Sequence, residues 1–346
     1  MGRYILKRLI YMILVFFLLT FVLFSIYQLM PANRAMTDAR LELATMKKLT
    51  AEEKETKFQE LYTKYQRMYG TDVDDVGTLY LRWLGVAPNY YGEYKGLLTG
   101  DPGYSYEHKA PVIELVGPYI RNSFLIGLFT EVCVLGITIF LGIKCAVKKG
   151  SRFDNGIQTF SLIGFSTPNF VIYILFIVLF CSILHIFPVS GMKTPGTNYT
   201  GLKAVWDVVT HITLPTICLV FASLAGVTRI CRASMIDALS LDCIRTARAK
   251  GLTEKSVIYS HAWRNAIIPM VAIIVGGFFS TISGGVILES MFGFKGMGLL
   301  FYNATKTADY DLLMFMQIIY TFIGLFSNLV IDLTYGIVDP RVRISK

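Results

Sequence analysis

Residues 229–269 read RICRASMIDALSLDCIRTARAKGLTEKSVIYSHAWRNAIIP and lie between two long apolar runs. Ser240 is a helix-capping residue type and Asp242 follows in the first turn, where negative charge is favoured. The spacing predicts a short helix over about 241–250. Gly251 then supplies the left-handed residue that stops it. Thr253 predicts the cap of a second helix running to about Ala266, with Val257, Ile258, Ala262 and Ala266 near one face. Pro269 is expected to open the next apolar run. Two short helices meeting at Gly251, with Arg245, Arg248 and Lys250 projecting from the first, make a rigid cationic knob. Such a knob fits a cleft on a soluble partner. It equally describes a solvated basic loop held near anionic lipid, and the residues alone leave both open.

The rest of the chain says what this hairpin is attached to. Of 346 residues, 54% are hydrophobic and only 16% charged, with a mean hydropathy of +0.53. Six apolar runs approach or exceed the ~20 residues needed to cross ~30 Å of hydrocarbon. They cover roughly 9–30, 122–147, 157–187, 211–232, 266–291 and 311–335. The first is too long for a signal-peptide core and no small-residue cleavage site follows, so it is expected to remain as an anchor. The net charge of +9 is distributed by side. Arg3, Lys7 and Arg8 precede the first run; Lys144, Lys148, Lys149 and Arg152 follow the second. Seven basic residues lie between Arg229 and Arg264, and Arg341, Arg343 and Lys346 end the chain. With six spans these all fall on one face. The positive-inside rule makes that face cytoplasmic, with both termini inside. The opposite segment, 31–121, carries 12 basic and 13 acidic residues and is nearly neutral. The positive charge therefore reads as topology and contact with membrane lipid, and nucleic-acid binding is excluded.

Residues 31–121 form one external insertion. Its first half, 38–68, predicts one or two surface helices, and Thr50 with Glu53 matches a capping box. The GDPGYSYEHKAPV segment at 100–112 predicts a loop crossing the outer mouth. The six cysteines (Cys133, Cys145, Cys181, Cys218, Cys231 and Cys243) include no CxxC pair and none lies in the insertion, so neither a disulfide framework nor a metal site is indicated. Within the spans, Glu131 and Asp332 are the ionisable residues of interest. Each must face protein or water, on a substrate pathway or in a helix–helix contact. Asn169, beside Pro168, is a second candidate for the pathway. Pro168 and Pro215 are expected to break helices, and Gly276, Gly277, Gly284 and Gly285 to give the fifth span a small-residue face.

The hairpin resembles the EAA loop of ATP-binding cassette (ABC) importer permeases. The generic Glu-Ala-Ala is not kept: the corresponding stretch is Arg245-Thr246-Ala247-Arg248-Ala249-Lys250-Gly251. The form here, RASM at 232–235, RTARAKGL at 245–252 and HAWRNAIIP at 261–269, is similar to the oligopeptide/dipeptide permease branch (OppB/DppB-like subunits). RYILKRL at 3–9, GDPGYSY at 100–106, ESMFGFKGMG at 289–298 and DPRVR at 339–343 agree with it. Pro102 stands where the family usually has Leu, and Lys295-Gly296 where it usually has Pro-Gly.

The resemblance implies an all-α integral membrane protein with six transmembrane helices of the type I importer permease fold. An N-terminal helix (1–30) precedes the extracytoplasmic insertion (31–121) and a core (122–346), whose coupling loop covers about 233–265. It implies a permease subunit for peptides, oligopeptides ahead of dipeptides or nickel chelates, in a bacterial cell membrane. The implied partners are a second related permease, two cytoplasmic ATPase subunits and an extracytoplasmic substrate-binding protein. Asp242, Arg245, Ala247, Arg248 and Gly251 would form the ATPase-coupling surface, and Glu131 and Asn169 the candidate pathway. The chain has no GxxxxGK[ST] phosphate loop, so ATP and Mg²⁺ belong to partner subunits and no cofactor, metal or catalytic residue is expected here. Two other classes fit less well. An intramembrane metalloprotease wants HExxH, and His108, His185, His211 and His261 stand far apart. A secondary transporter favours internal repeats or several buried ionisable residues, and neither is evident.

Overall fold

A chain in hydrocarbon must satisfy its backbone groups within itself, so apolar runs of this length fold as helices. The computed structural model describes residues 2–29, 34–46 and 50–338. The DPRVR tail lies outside the described residues. In chain order the helices begin with α1 (Gly2–Gln28), α2 (Arg34–Thr45), α3 (Ala51–Tyr69) and α4 (Val76–Leu84). A short antiparallel ladder follows, β1 (Tyr104–Ser105) with β2 (Ala110–Pro111). Then come α5 (Val112–Val147), α6 (Arg152–Ser166), α7 (Asn169–Ile183), α8 (Gly201–Leu239), α9 (Asp242–Ala249) and α10 (Glu254–Ser283). The last are α11 (Val286–Met291), α12 (Met297–Thr307) and α13 (Tyr310–Val338). Among the described residues α1, α5, α8, α10 and α13 are long and apolar enough to cross a membrane. The pair α6–α7 makes a sixth crossing if taken as one span, but it is bent by 100°.

Three expectations change. Pro168 does interrupt its span, at the α6–α7 bend, whereas Pro215 does not: it is buried inside the unbroken 39-residue α8. Neighbouring groups in a packed bundle tolerate the one lost backbone bond. Pro269 likewise sits inside α10, so the second hairpin helix and the fifth span are a single element. A wide π-type turn over Val257–Ala262 joins them. The span ends earlier than expected, because Gly284 takes φ +68° and leaves the helix. Gly284 and Gly285 therefore belong to the following loop. Gly277 does serve close packing: a Cβ there would stand 2.4 Å from Glu131 Oε1.

By packing, the chain divides into two compact units, Met1–Pro118 with Leu300–Leu325, and Tyr119–Leu299 with Phe326–Lys346. In the first, α2 and α3 pair antiparallel: Tyr65 Oη donates to Glu42 Oε2 at 2.6 Å and Tyr69 Oη to Asp38 Oδ2 at 2.6 Å. Thr50 and Glu53 form the expected capping box at the start of α3. Phe24, Leu79, Tyr80, Leu84 and Met314 form a small buried core, in which Thr20 Oγ1 and the Tyr80 hydroxyl are 2.7 Å apart. In the second, Ile126, Ile172, Tyr173, Leu214, Cys218, Leu288 and Phe292 share one core.

The α2–α3 pair is set to respond to acid. The Tyr65 hydroxyl, then the Lys64 ammonium, hold the Glu42 carboxyl below its ordinary value of 4.5. Folding thus favours the ionised carboxylate, and its contribution is present above the ordinary value and lost as pH falls through the lowered one. Amide hydrogen exchange in α2 and α3 is expected to accelerate as pH falls below the ordinary carboxylate value. Tyr65→Phe should raise exchange at neutral pH and remove most of the acid step.

Candidate functional site

The hairpin is built on a buried seat. Along α9, Ile244 and Ala247 are 0% and 5% exposed, while Asp242, Cys243, Arg245, Thr246, Arg248 and Ala249 lie at the surface. The two inward side chains join a cluster with Ile143 and Ala146 of α5, Met235 and Ala238 of α8, and Val257, Ala262 and Ala266 of α10. An eight-residue helix is too short to hold itself in water, so this packing and its caps make it. The start differs from expectation. Leu241 occupies the capping position, and the Ser240 hydroxyl donates to Asp237 O at 2.7 Å, closing α8 instead. The end is as expected. Gly251 takes φ +74°, its N–H bonds Arg248 O at 2.9 Å, and the Leu252 N–H reaches Ala247 O at 3.4 Å. This is a Schellman stop. Thr253 Oγ1 accepts from Ser256 N and caps α10.

Of the five residues expected on a coupling surface, four are outward and Ala247 is turned onto the chain's own core. Its methyl size lets α9 approach that core. Arg245 pairs with Asp242 at 3.3 Å, and Arg248 Nε donates to Glu254 Oε1 at 2.8 Å across the Gly251 turn. Both pairs are solvent-exposed and contribute at most about 1 kcal/mol each. They remain available for exchange with another charged surface. Exposed Leu241, Leu252 and Tyr259 give the same end apolar contact area.

Two buried carboxylates brace this unit, and neither stood out in the sequence. Asp154, fully buried, binds the Arg232 guanidinium with two parallel bonds, Nε to Oδ1 at 2.6 Å and Nη2 to Oδ2 at 2.7 Å. The Gly150 N–H adds a third bond at 2.9 Å, and Ser151 caps the same turn. The pair ties the start of α6 to α8, about two turns before α8 ends. Asp154 carries no local sequence signal, and Arg232 stands out only within RASM at 232–235. Only the fold brings them together.

Glu289 of α11 is 1% exposed. Its Oε1 accepts from Ser123 Oγ at 2.9 Å and Gly285 N at 3.0 Å, and its Oε2 from Leu299 N at 2.7 Å. Ser123 Oγ in turn accepts from Met297 N at 2.8 Å, and Asn122 Nδ2 donates to Lys295 O at 2.8 Å. One carboxylate thus gathers the loop 284–299 and fastens it to α5. The glycines explain themselves here: a Cβ at Gly284 or Gly296 would meet Glu289 at 2.1 or 2.3 Å. Burial pushes the Glu289 carboxyl up, and the donors from Leu299, Ser123, Gly285 and Gly298 pull it back down. The available signal was the ESMFGFKGMG run, an acid followed by spaced glycines.

The two pathway candidates are on different elements. Glu131 is half-buried on α5 against Gly277 of α10, and Asn169 is exposed at the α6–α7 bend. Asp332 is half-buried in α13.

Long apolar helices ending in a rigid basic hairpin, with a carboxylate-gathered loop beyond the span that follows it, mark a multi-pass membrane protein. Residues 138–344 match the family described as binding-protein-dependent transport system inner membrane component, and the chain belongs to that family. Its fold is that of the type I ABC importer permeases. The chain is 36% identical over 265 residues to the oligopeptide transport system permease protein AppB of Bacillus subtilis, covering 76% of this chain and 79% of that one. It is 32% identical to the dipeptide transport system permease protein DppB of Lactococcus lactis, over 99% of this chain and 100% of that one. The oligopeptide permease OppB of Haemophilus influenzae is 33% identical over 73% of this chain and 79% of its own length. Among solved structures, an amino acid ABC transporter with histidines superposes at a TM-score of 0.41 with 16% identity, over 65% of this chain and 94% of that chain.

Removing one partner of the buried pair leaves an uncompensated charge. Arg232→Ala or Asp154→Leu should each lower stability by about 3–5 kcal/mol, and the double variant Asp154→Leu/Arg232→Met should recover most of that. The retained fraction after graded heating, read by size-exclusion chromatography, checks it. Glu289→Gln should cost about 1–3 kcal/mol, because either amide orientation sets an NH₂ against a backbone N–H. Faster hydrogen exchange confined to 284–299 is the expected signature.

Proposed function

We propose that this chain is one pore-forming subunit of an ATP-driven importer of short peptides, with oligopeptides ahead of dipeptides. A second related permease forms the other half of the pathway. Two soluble ATPase subunits, holding ATP and Mg²⁺, grip the hairpins, and a binding protein delivers peptide from outside. The basic end and both termini face the cytoplasm of a bacterial cell, and the insertion around α2–α4 faces outward. The observation that carries the reading is the hairpin: outward cations and exposed apolar side chains on a turn whose inner face packs against three long helices. Family membership and the oligopeptide and dipeptide permeases among its relatives support peptides as cargo.

The mechanism follows from this rigidity. A partner that closes on Asp242, Arg245, Arg248 and Gly251 cannot shift α9 alone, because Ile244 and Ala247 carry the displacement into α5, α8 and α10. Arg232 and Asp154 pass it to α6. ATP binding to the partner thereby biases the spans between inward- and outward-facing arrangements. Hydrolysis is assigned to the partners, since the sequence lacks a phosphate-binding loop.

Gly251 tests the proposal. Nothing lies within 4 Å of a Cβ built there, so a substitution is opposed by its left-handed backbone alone. Gly251→Val should strain the turn by about 1–2 kcal/mol and lower ATP-dependent trialanine uptake by proteoliposomes about tenfold. The ATPases should still co-purify. Gly251→Asn, which tolerates this conformation, should keep most of the activity. Cross-linking from the exposed Cys243 in a Cys133→Ser background should capture an ATPase subunit. Normal uptake by the Val variant, or no captured neighbour during turnover, would overturn the coupling role.

A further inference from the structure

Within the first unit, the short helix α4 is held against the flank of α1, and the contacts fix its depth. The Tyr80 hydroxyl stands 2.7 Å from Thr20 Oγ1 and 3.2 Å from Phe17 O. The Tyr80 ring meets Phe21 and Phe24 edge-on at 5.2 and 5.6 Å between centroids, and Trp83 lies 5.6 Å from Phe24. Arg8 is the last cation before the apolar run of α1, and Gln28 ends the helix. At ~1.5 Å per residue they are about 30 Å apart, the thickness of the hydrocarbon layer. On this scale Phe24 is about 6 Å and Thr20 about 12 Å inside the outer edge. Met314 closes the same core from α13, about 6 Å beyond the start of that helix, so a second span gives the same level. We infer that α4 lies in the outer leaflet and that its uncovered face is a binding surface for phospholipid, with acyl chains against Leu81 and Val86 and headgroups against the tyrosines of the loop that follows.

The residues of α4 suit that level. Val76, Leu79, Tyr80, Leu81, Trp83 and Leu84 leave it apolar all round, the pattern of a helix with apolar material on every side. Leu79, Tyr80 and Leu84 are buried, whereas Leu81 is 43% exposed. Val86, whose N–H bonds Leu81 O at 2.9 Å, is exposed as well. The single charge of the helix, Arg82, is turned to Asp72 at 2.7 Å and Gly70 O at 3.0 Å, which neutralises it. Helix α3 is different: Glu52, Glu53, Lys54, Glu55, Lys57 and Glu60 suit water.

Irregular backbone does not face hydrocarbon, so the loop after Gly85 belongs among the headgroups. There Asn89 Oδ1 accepts from Tyr91 N at 2.9 Å and Glu93 N at 3.0 Å, and this tight turn carries exposed Tyr90 and Tyr91, with exposed Tyr94 just after it. Tyrosine is enriched at the membrane–water boundary because its ring is apolar and its tip polar. A soluble partner reaches these rings but not Leu81, which follows Tyr80 at a depth open only to lipid or to another span. Packed spans favour small residues at their contacts. The outward side chains here, Leu81 and Val86 on α4 and Leu18, Val22 and Ile26 along α1, are all large aliphatics, and this favours lipid.

The test uses the full chain, with the subunits that co-purify with it, in nanodiscs of phosphatidylethanolamine and phosphatidylglycerol. A nitroxide is attached at Leu81→Cys and, for reference, at Glu60→Cys on α3, each in a Cys133→Ser/Cys243→Ser background. Power-saturation EPR compares collision with oxygen, which concentrates in lipid, and with a neutral nickel chelate, which stays in water. The oxygen-to-nickel ratio at position 81 should exceed that at position 60 at least about tenfold. Without any added cysteine, Trp83 fluorescence in a Trp206→Phe/Trp263→Phe chain should be quenched more strongly by dibrominated phospholipid than by iodide. Equal ratios at 81 and 60, or quenching of Trp83 mainly by iodide, would overturn the proposal by placing α4 in water. A label at 81 that neither reagent reaches would also overturn it, since protein and not lipid would then cover the face.

Discussion

Ile244 and Ala247 press a two-turn helix against side chains of α5, α8 and α10, and the hairpin is organised around that contact. Burying Ile244 completely stabilises the seat by about 1.5–3 kcal/mol, more than either exposed ion pair of the hairpin supplies. The outward face of α9 is therefore free of structural duty. Its charges are held loosely while its backbone is held firmly, which is the combination a docking element needs.

The two buried acids meet different requirements. Asp154 neutralises a cation that would otherwise be stranded among helices, and the bidentate geometry fixes how α6 and α8 register. Among the described residues Glu289 is held by hydrogen-bond donors and not by a paired cation. It gathers backbone N–H groups of a loop that has left the helical pattern and whose donors lack intrahelical partners. Glycines surround it because the carboxylate occupies the space their side chains would need.

What the sequence made legible is local. Apolar run length located the spans, Gly251 and Thr253 located the turn and the cap, and Thr50 with Glu53 located the start of α3. Each depends on neighbours within a few residues. The errors come from tertiary context. Pro215 and Pro269 look like helix breakers, yet a packed bundle absorbs a missing N–H. Gly284 looks like part of an apolar run, and only its positive φ and the nearby carboxylate of Glu289 place it in a loop. The pairing of Asp154 with Arg232 spans 78 positions, and nothing local announces it. Outward side chains of α9 followed from periodicity, whereas the inward turn of Ala247 required knowing which face the core occupies.

The contrast between α8 and α6–α7 has a mechanical side. At ~1.5 Å per residue, the 39 residues of α8 make a continuous strut about 58 Å long, roughly twice the thickness of the hydrocarbon layer. A torque applied at its basic end reaches the other end with only the lost bond at Pro215 to soften it. The neighbouring α6–α7 segment is cranked by 100° at Thr167–Pro168, so an axial thrust on α6 is redirected sideways at the elbow. One protein thus contains a shaft and a crank side by side, joined at the Arg232–Asp154 pin.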